Sequence, residues 1–252
     1  MSRKRLSPEH YAKALLKLVG AQQPVRLADV AKEIGLRIRY VPSSGFDGAL
    51  VRLAGLPRGR IAVRASMEKS RRRFTTAHEI GHYVLPGHDS ENSVCRAQDV
   101  GQLREDSDSL EQAANKFAGE LLMPSLAVRR IVKKFGVSMD TCKFISDQFE
   151  VSLTAAAVKC VEVTDRRAAL VVTEGGIRKR FKPSSRITEF IPIGAPLSPD
   201  SLASQLSASH RKKDGLVPAD AWIDISLSDV MIMEDSLLMP NYEKILTLLT
   251  LP

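Results

Sequence analysis

Hydrophobic and polar positions along this chain change period several times. Pro8 and Glu9 open a segment to about Val19 in which Leu15, Leu16 and Val19 fall partly on one side, predicting a helix that Gly20 to Pro24 stops. A shorter helix is expected over Leu27 to Ile34, with Gly35 in the C-cap position. The period then falls to two: LRIRYV, ALVRLAG and GRIAVRA read as strands, separated by turns at Ser43 to Gly48 and Leu56 to Gly59. Strands this short need helices over one face of their sheet. Ser70 to Leu85 supplies the central helix, ended by Pro86 and Gly87. Its Gly81 costs about 1 kcal/mol in helix propensity but allows another element to approach closely.

From His88 to Ser109 the chain is polar and acidic with little periodicity and reads as a long loop at the rim of a site. Helical spacing resumes over Leu110 to Leu122, and Met123-Pro124 breaks it. Three short helices are expected next, over Ser125 to Lys134, Ser138 to Gln148 and Ser152 to Val163, with Ser138 and Ser152 as N-caps. Their spacing is that of a helix-turn-helix array, which does not by itself establish DNA binding. Beyond Val163 the pattern predicts a hairpin, Ala168 to Thr173 and Ile177 to Phe181 around Gly175-Gly176. Further strands are expected at Glu189 to Ile193, Trp222 to Leu227 and Val230 to Glu234, and a helix at Ser198 to Ser209. The reading is an α+β protein in three segments: a core over 1–124, a helical segment over 125–163 and a C-terminal alpha/beta domain over 164–252.

Composition narrows the class. Of 252 residues, 44% are hydrophobic and 26% charged, which argues against wholesale disorder. The 37 Lys and Arg exceed the 29 Asp and Glu for a formal charge of +8, favouring approach to an acidic protein face or to nucleic acid without choosing between them. Cys95, Cys142 and Cys160 are few, widely spaced and without a CxxC pair, unlike a disulfide scaffold or a zinc knuckle. With neither a signal-peptide core nor an apolar span, a cytoplasmic, non-membrane protein is expected.

The chemistry concentrates in His78-Glu79-Ile80-Gly81-His82. On a helix, His78 and His82 face the same side and can reach one metal, while Glu79 points toward the water that the metal activates. A catalytic centre needs a third protein ligand. Glu111 is the first choice: its helix places Asn115 and Ala118 on the same face, and Ala114 and Ala118 are small enough for close packing against the HEIGH helix. Glu120 is the second choice and Asp108 the third; otherwise they read as a solvated face and N-terminal helix charge. His88 and Cys95 read as loop residues, although a loop thiolate can close a zinc site. Asn115 is a candidate to orient a ligand, and Tyr83 reads as packing. Two surface histidines would also satisfy HxxxH. The neighbouring strand, helix and carboxylate-bearing helix favour a metal, with Zn(2+) the default and Mn(2+) or another divalent ion the alternative.

FTTAHEIGHYVL together with EQAANKFAGELLMP resembles the ImmA/IrrE family of metallopeptidases. The resemblance is strong from Leu27 to Pro124 and looser to Val163. It implies a zincin-like core, a helix-turn-helix-like segment and, as in longer members, a GAF-like C-terminal domain. It also implies metal ligands His78, His82 and Glu111, catalytic Glu79, and hydrolysis of one bond in a helix-turn-helix transcriptional repressor. The competing expectations are a DNA-binding regulator using Ser125 to Val163, and a protein-binding scaffold in which the metal only fastens the core. SMDTCKFISDQF carries Asp140 and Asp147 beside Lys143 and Gln148, which disfavours direct reading of DNA.

Overall fold

The computed structural model describes residues 6–42, 45–52, 58–87, 92–95, 109–223, 230–239 and 244–252, with side chains of 92–95 and 109 left aside. Two compact units emerge, one of 1–124 with 146–152, the other of 125–145 with 153–252.

In the first unit, α1 (Pro8–Leu18) begins where the Ser7 side chain accepts from the His10 N–H and Pro8 supplies a preset φ. It is followed by α2 (Leu27–Glu33), β1 (Leu36–Val41), β2 (Gly48–Arg52) and β3 (Gly59–Arg64). The helix α3 (Lys69–Val84) carries the HEIGH sequence, and α4 (Ser109–Leu122) carries Glu111. Between them lies an unexpected strand, β4 (Asn92–Cys95), inside the stretch read as loop. The sheet order is β1-β3-β2-β4, with β1 parallel to β3 and the other pairings antiparallel. Alternation buries Leu36, Leu50, Ile61 and Val63 on one face of the sheet, and α3, with Ala77 and Ile80 buried, packs on β2 and β3. Glu150, in the 146–152 stretch, pairs with Lys69 at 2.6 Å and Arg73 at 3.3 Å, holding the first half of α3.

The second unit opens with α5 (Ser125–Phe135), α6 (Met139–Phe149, of which Ser146 onward clusters with the first unit) and α7 (Leu153–Val163). Gly136 at φ +81° ends α5, and Ser138 caps α6 by accepting from the Thr141 N–H at 3.1 Å. An antiparallel sheet of order β6-β5-β9-β8-β7 follows, built from β5 (Ala168–Glu174), β6 (Ile177–Pro183), β7 (Lys212–Pro218), β8 (Met231–Met239) and β9 (Lys244–Thr250). The glycine hairpin is as expected. The strand expected at Val230 to Glu234 is also found, within β8, whereas three other stretches beyond α7 differ from expectation. Ser198 to Ser209 is no helix but a single 3-10 turn at Ala203–Gln205, because the Glu234 carboxylate accepts the N–H groups of Leu202 and Ala203 that a helix would reserve. Glu189 to Ile193 is irregular, consistent with Pro192 lacking a ladder donor. Trp222 and Ile223 follow a 3-10 turn at Ala219–Ala221 and are not strand, while 224–227 lie outside the described residues. Glu234 also accepts from Trp222 Nε1 at 2.7 Å and Ser236 Oγ at 2.7 Å, and Arg178 donates to the carbonyls of Trp222 and Ala221. This buried polar knot fixes the tryptophan in a core of Val171, Ile191, Val217, Ile232 and Leu249.

Candidate metal centre

Helical spacing and one close helix crossing assemble the centre. His78 and His82 lie one turn apart on α3, their rings 4.6 Å apart at 74°. The helix α4 packs tightly against them at Gly81: a Cβ there would lie 3.0 Å from Phe117 Cδ1 and 3.3 Å from Ala114 Cα. Small residues at the crossing therefore bring Glu111, one turn before Asn115, over the two imidazoles.

Glu111 Oε2 lies 3.0 Å from His78 Nε2, Glu111 Oε1 lies 3.2 Å from His82 Nε2, and the two Nε2 atoms are 3.0 Å apart. Among the described residues, this trio offers ligand atoms all within 4.8 Å of one another. A tetrahedral ion with bonds of about 2.0–2.1 Å separates its donors by about 3.3 Å, so the spacing fits a small divalent metal. The Asn115 contact sharpens the fit. Its Oδ1 lies 3.0 Å from His78 Nδ1 and accepts the proton there, which leaves the Nε2 lone pair directed at the cluster. In the metal-free site burial works against the charged form of Glu111, but hydrogen bonds from His78 and His82 with their Nε2 atoms protonated outweigh it and lower its carboxyl from 4.5 to about 2. Two imidazoles and an anionic carboxylate are a donor set suited to a divalent cation.

Glu79 is fully buried, next along α3. The start of β2 lies against it: a Cβ on Gly48 would fall 2.5 Å from Glu79 Oε1 and 2.6 Å from Thr75 Cγ2. Only a glycine leaves the carboxylate this space. The preceding Asp47 is buried and binds Arg64 on β3 at 2.8 Å and Arg71 on α3 at 3.1 Å, while its carbonyl accepts from the Arg64 N–H. Strand and helix are thus tied together where Gly48 meets Glu79. At the other end of the motif, Arg52 on β2 donates to the His82 carbonyl at 2.6 Å and to that of Tyr83, with its cation 4.8 Å over the Tyr83 ring. It satisfies carbonyls at the end of α3, where positive charge is favoured.

Of the sequence candidates, His78, His82, Glu111 and Asn115 come together, with Glu79 beside them on α3. Glu120 does not join them. It is buried rather than on a solvated face, with Lys13 of α1 at 3.7 Å. Asp108, His88 and the Cys95 side chain lie outside the described residues, whereas Cys142 and Cys160 are buried thiols on α6 and α7. Gly48, Asp47 and Arg52 were not expected. Asp-Gly before an alternating run reads locally as a turn, and nothing nearby in the sequence names the helix these residues meet.

A family model described as the IrrE N-terminal-like domain matches residues 31–161, more than half of the chain. The radiation response metalloprotease IrrE of Deinococcus radiodurans is 28% identical over 130 residues, which are 52% of this chain and 38% of that protein. The match therefore spans well under half of that relative. A Mycobacterium tuberculosis transcriptional regulator of known structure shares the fold at a TM-score of 0.60 with 12% identity, over 97% of this chain and 76% of its own.

Proposed function

Because the chain belongs to the ImmA/IrrE-like metalloprotease family, we propose that it is a metal-dependent endopeptidase in which His78, His82 and Glu111 hold a divalent ion and Glu79 is the general base. The observation that carries this reading is the triangle of His78 Nε2, His82 Nε2 and the Glu111 carboxylate, with edges of 3.0 to 3.2 Å. When bound, zinc or another divalent ion supplies Lewis acidity, acidifying water and polarising a carbonyl.

The protein's own groups account for the remaining steps. Asn115 keeps the His78 proton on Nδ1 and the ring in its orientation. The Glu79 carboxylate takes a proton from the attacking water as the new C–O bond forms at the scissile carbonyl. It delivers that proton to the amide nitrogen as the C–N bond breaks. The wall formed by Gly48 keeps the carboxylate in one place, so little reorganisation accompanies the transfer.

The proposed substrate is a helix-turn-helix transcriptional repressor, from the family resemblance. Cleavage would separate its parts and weaken operator binding. The test is to incubate metal-loaded and metal-stripped protein with the helix-turn-helix repressor encoded nearest its gene and read the products by mass spectrometry. A single cleaved bond with the loaded protein supports the proposal. An intact repressor in both samples argues for another substrate, or for the scaffold in which the metal only fastens the core.

A further inference from the structure

The four-stranded sheet has a second face that the metal centre does not use. Alternation turns Leu36, Leu50, Ile61 and Val63 inward, so Arg37 and Arg39 of β1 and Arg60 of β3 point outward and are exposed. In the register, Arg37 stands directly opposite Arg60, and Arg60 directly opposite Val51, which is 43% exposed. The adjacent row is Arg39, Ala62 and Ala49. Arg64 shares this face but is bound to Asp47. Among the described residues, Arg37, Arg39 and Arg60 form no ion pair, and the outward positions of β1, β2 and β3 hold no carboxylate. Like charges directly opposite one another destabilise a sheet, and here nothing described offsets them.

We propose that this face docks a protein partner through a cluster of carboxylates. Charge complementarity selects an anionic occupant, and three features favour protein over nucleic acid. The free cations are all arginines: their planar forks match carboxylate and phosphate alike, but protein interfaces are enriched in arginine and depleted of lysine. The arginines flank an apolar strip of Val51, Ala49 and Ala62, a small desolvating surface rather than a phosphate track. Three charges are also few for backbone binding, which commonly engages about 6–10 phosphates. Cross-strand and along-strand spacings of about 5 and 7 Å set the separation of the carboxylates the partner must present. This inference stands independently of the peptidase reading.

The test measures binding of fluorescently labelled poly-L-glutamate and of a labelled mixed-sequence DNA duplex at low salt. It compares the parent, the Arg37→Gln, Arg39→Gln, Arg60→Gln triple variant, and a control with the same charge removed from α5 (Arg129→Gln, Arg130→Gln, Lys134→Gln). All six residues are exposed, so both variants are expected to fold, which circular dichroism checks. The sheet variant should bind polyglutamate about tenfold more weakly or worse, with the control near the parent. An equal loss in both variants, or no binding by the parent, overturns the proposal. Tighter binding of the duplex than of polyglutamate, lost in the sheet variant, overturns it in favour of nucleic acid.

Discussion

Gly48 and Glu79 are in contact across the strand–helix boundary: the position of a Cβ on Gly48 lies 2.5 Å from Glu79 Oε1. The carboxylate assigned as base is therefore located by a missing side chain as much as by those present. Replacing Gly48 with alanine must displace Glu79, Thr75 or the strand itself. Overpacking of this kind costs about 1–3 kcal/mol. Misplacing a reacting group by about 1 Å costs on the order of 100-fold in rate. Gly48→Ala should thus lower kcat steeply with little change in metal content. Single-turnover cleavage beside elemental analysis checks this, and unchanged turnover would remove Gly48 from the account.

Asn115 fixes the tautomer of His78 through the 3.0 Å contact to Nδ1. In Asn115→Ala the imidazole loses this partner, and metal affinity should fall by about 10–100-fold while the helices persist. Competition with a chromophoric chelator measures the change; affinity equal to the parent would make Asn115 merely a packing residue.

The Glu111 carboxyl is lowered to about 2 from 4.5. A depressed acid stabilises the fold above its unfolded value, and that stability is lost as pH falls through the folded one. Metal-free protein should therefore lose stability between pH of about 4.5 and about 2, and Glu111→Gln should show less of this loss. Urea unfolding across that range reports it; parallel curves for parent and variant would contradict the assignment.

In the second unit, Glu234 accepts from Leu202, Ala203, Trp222 and Ser236. Glu234→Ala leaves these donors buried and unmet, and should destabilise the fold by about 3–5 kcal/mol, read by denaturant titration. A loss below about 1 kcal/mol would mean that water replaces the carboxylate.

What was legible in the sequence follows the range of the interactions involved. His78, Glu79, His82 and Glu111 sit on helices whose 3.6 period sets which residues share a face, and Gly81 with Ala114 announced a close crossing. Arg52 was hidden because its partners, the carbonyls of His82 and Tyr83, are 30 and 31 residues away. Asp47 looked like turn chemistry, yet its charge is spent on Arg64 and Arg71. The second unit was harder. No strand was expected over Lys212–Pro218, where Gly215 and Pro218 interrupt the strand pattern although an edge strand accommodates both, and the buried Glu234 turned an expected helix into a 3-10 turn.

The central claim is that a metal at His78, His82 and Glu111 works with Glu79 to hydrolyse a peptide bond. Its most direct test is cleavage of the repressor by parent and Glu79→Gln, with the metal content of both measured in the same samples. The account predicts equal metal content, a single cleavage by the parent, and a loss of several orders of magnitude in rate for the variant. Cleavage by Glu79→Gln at the parental rate would contradict it.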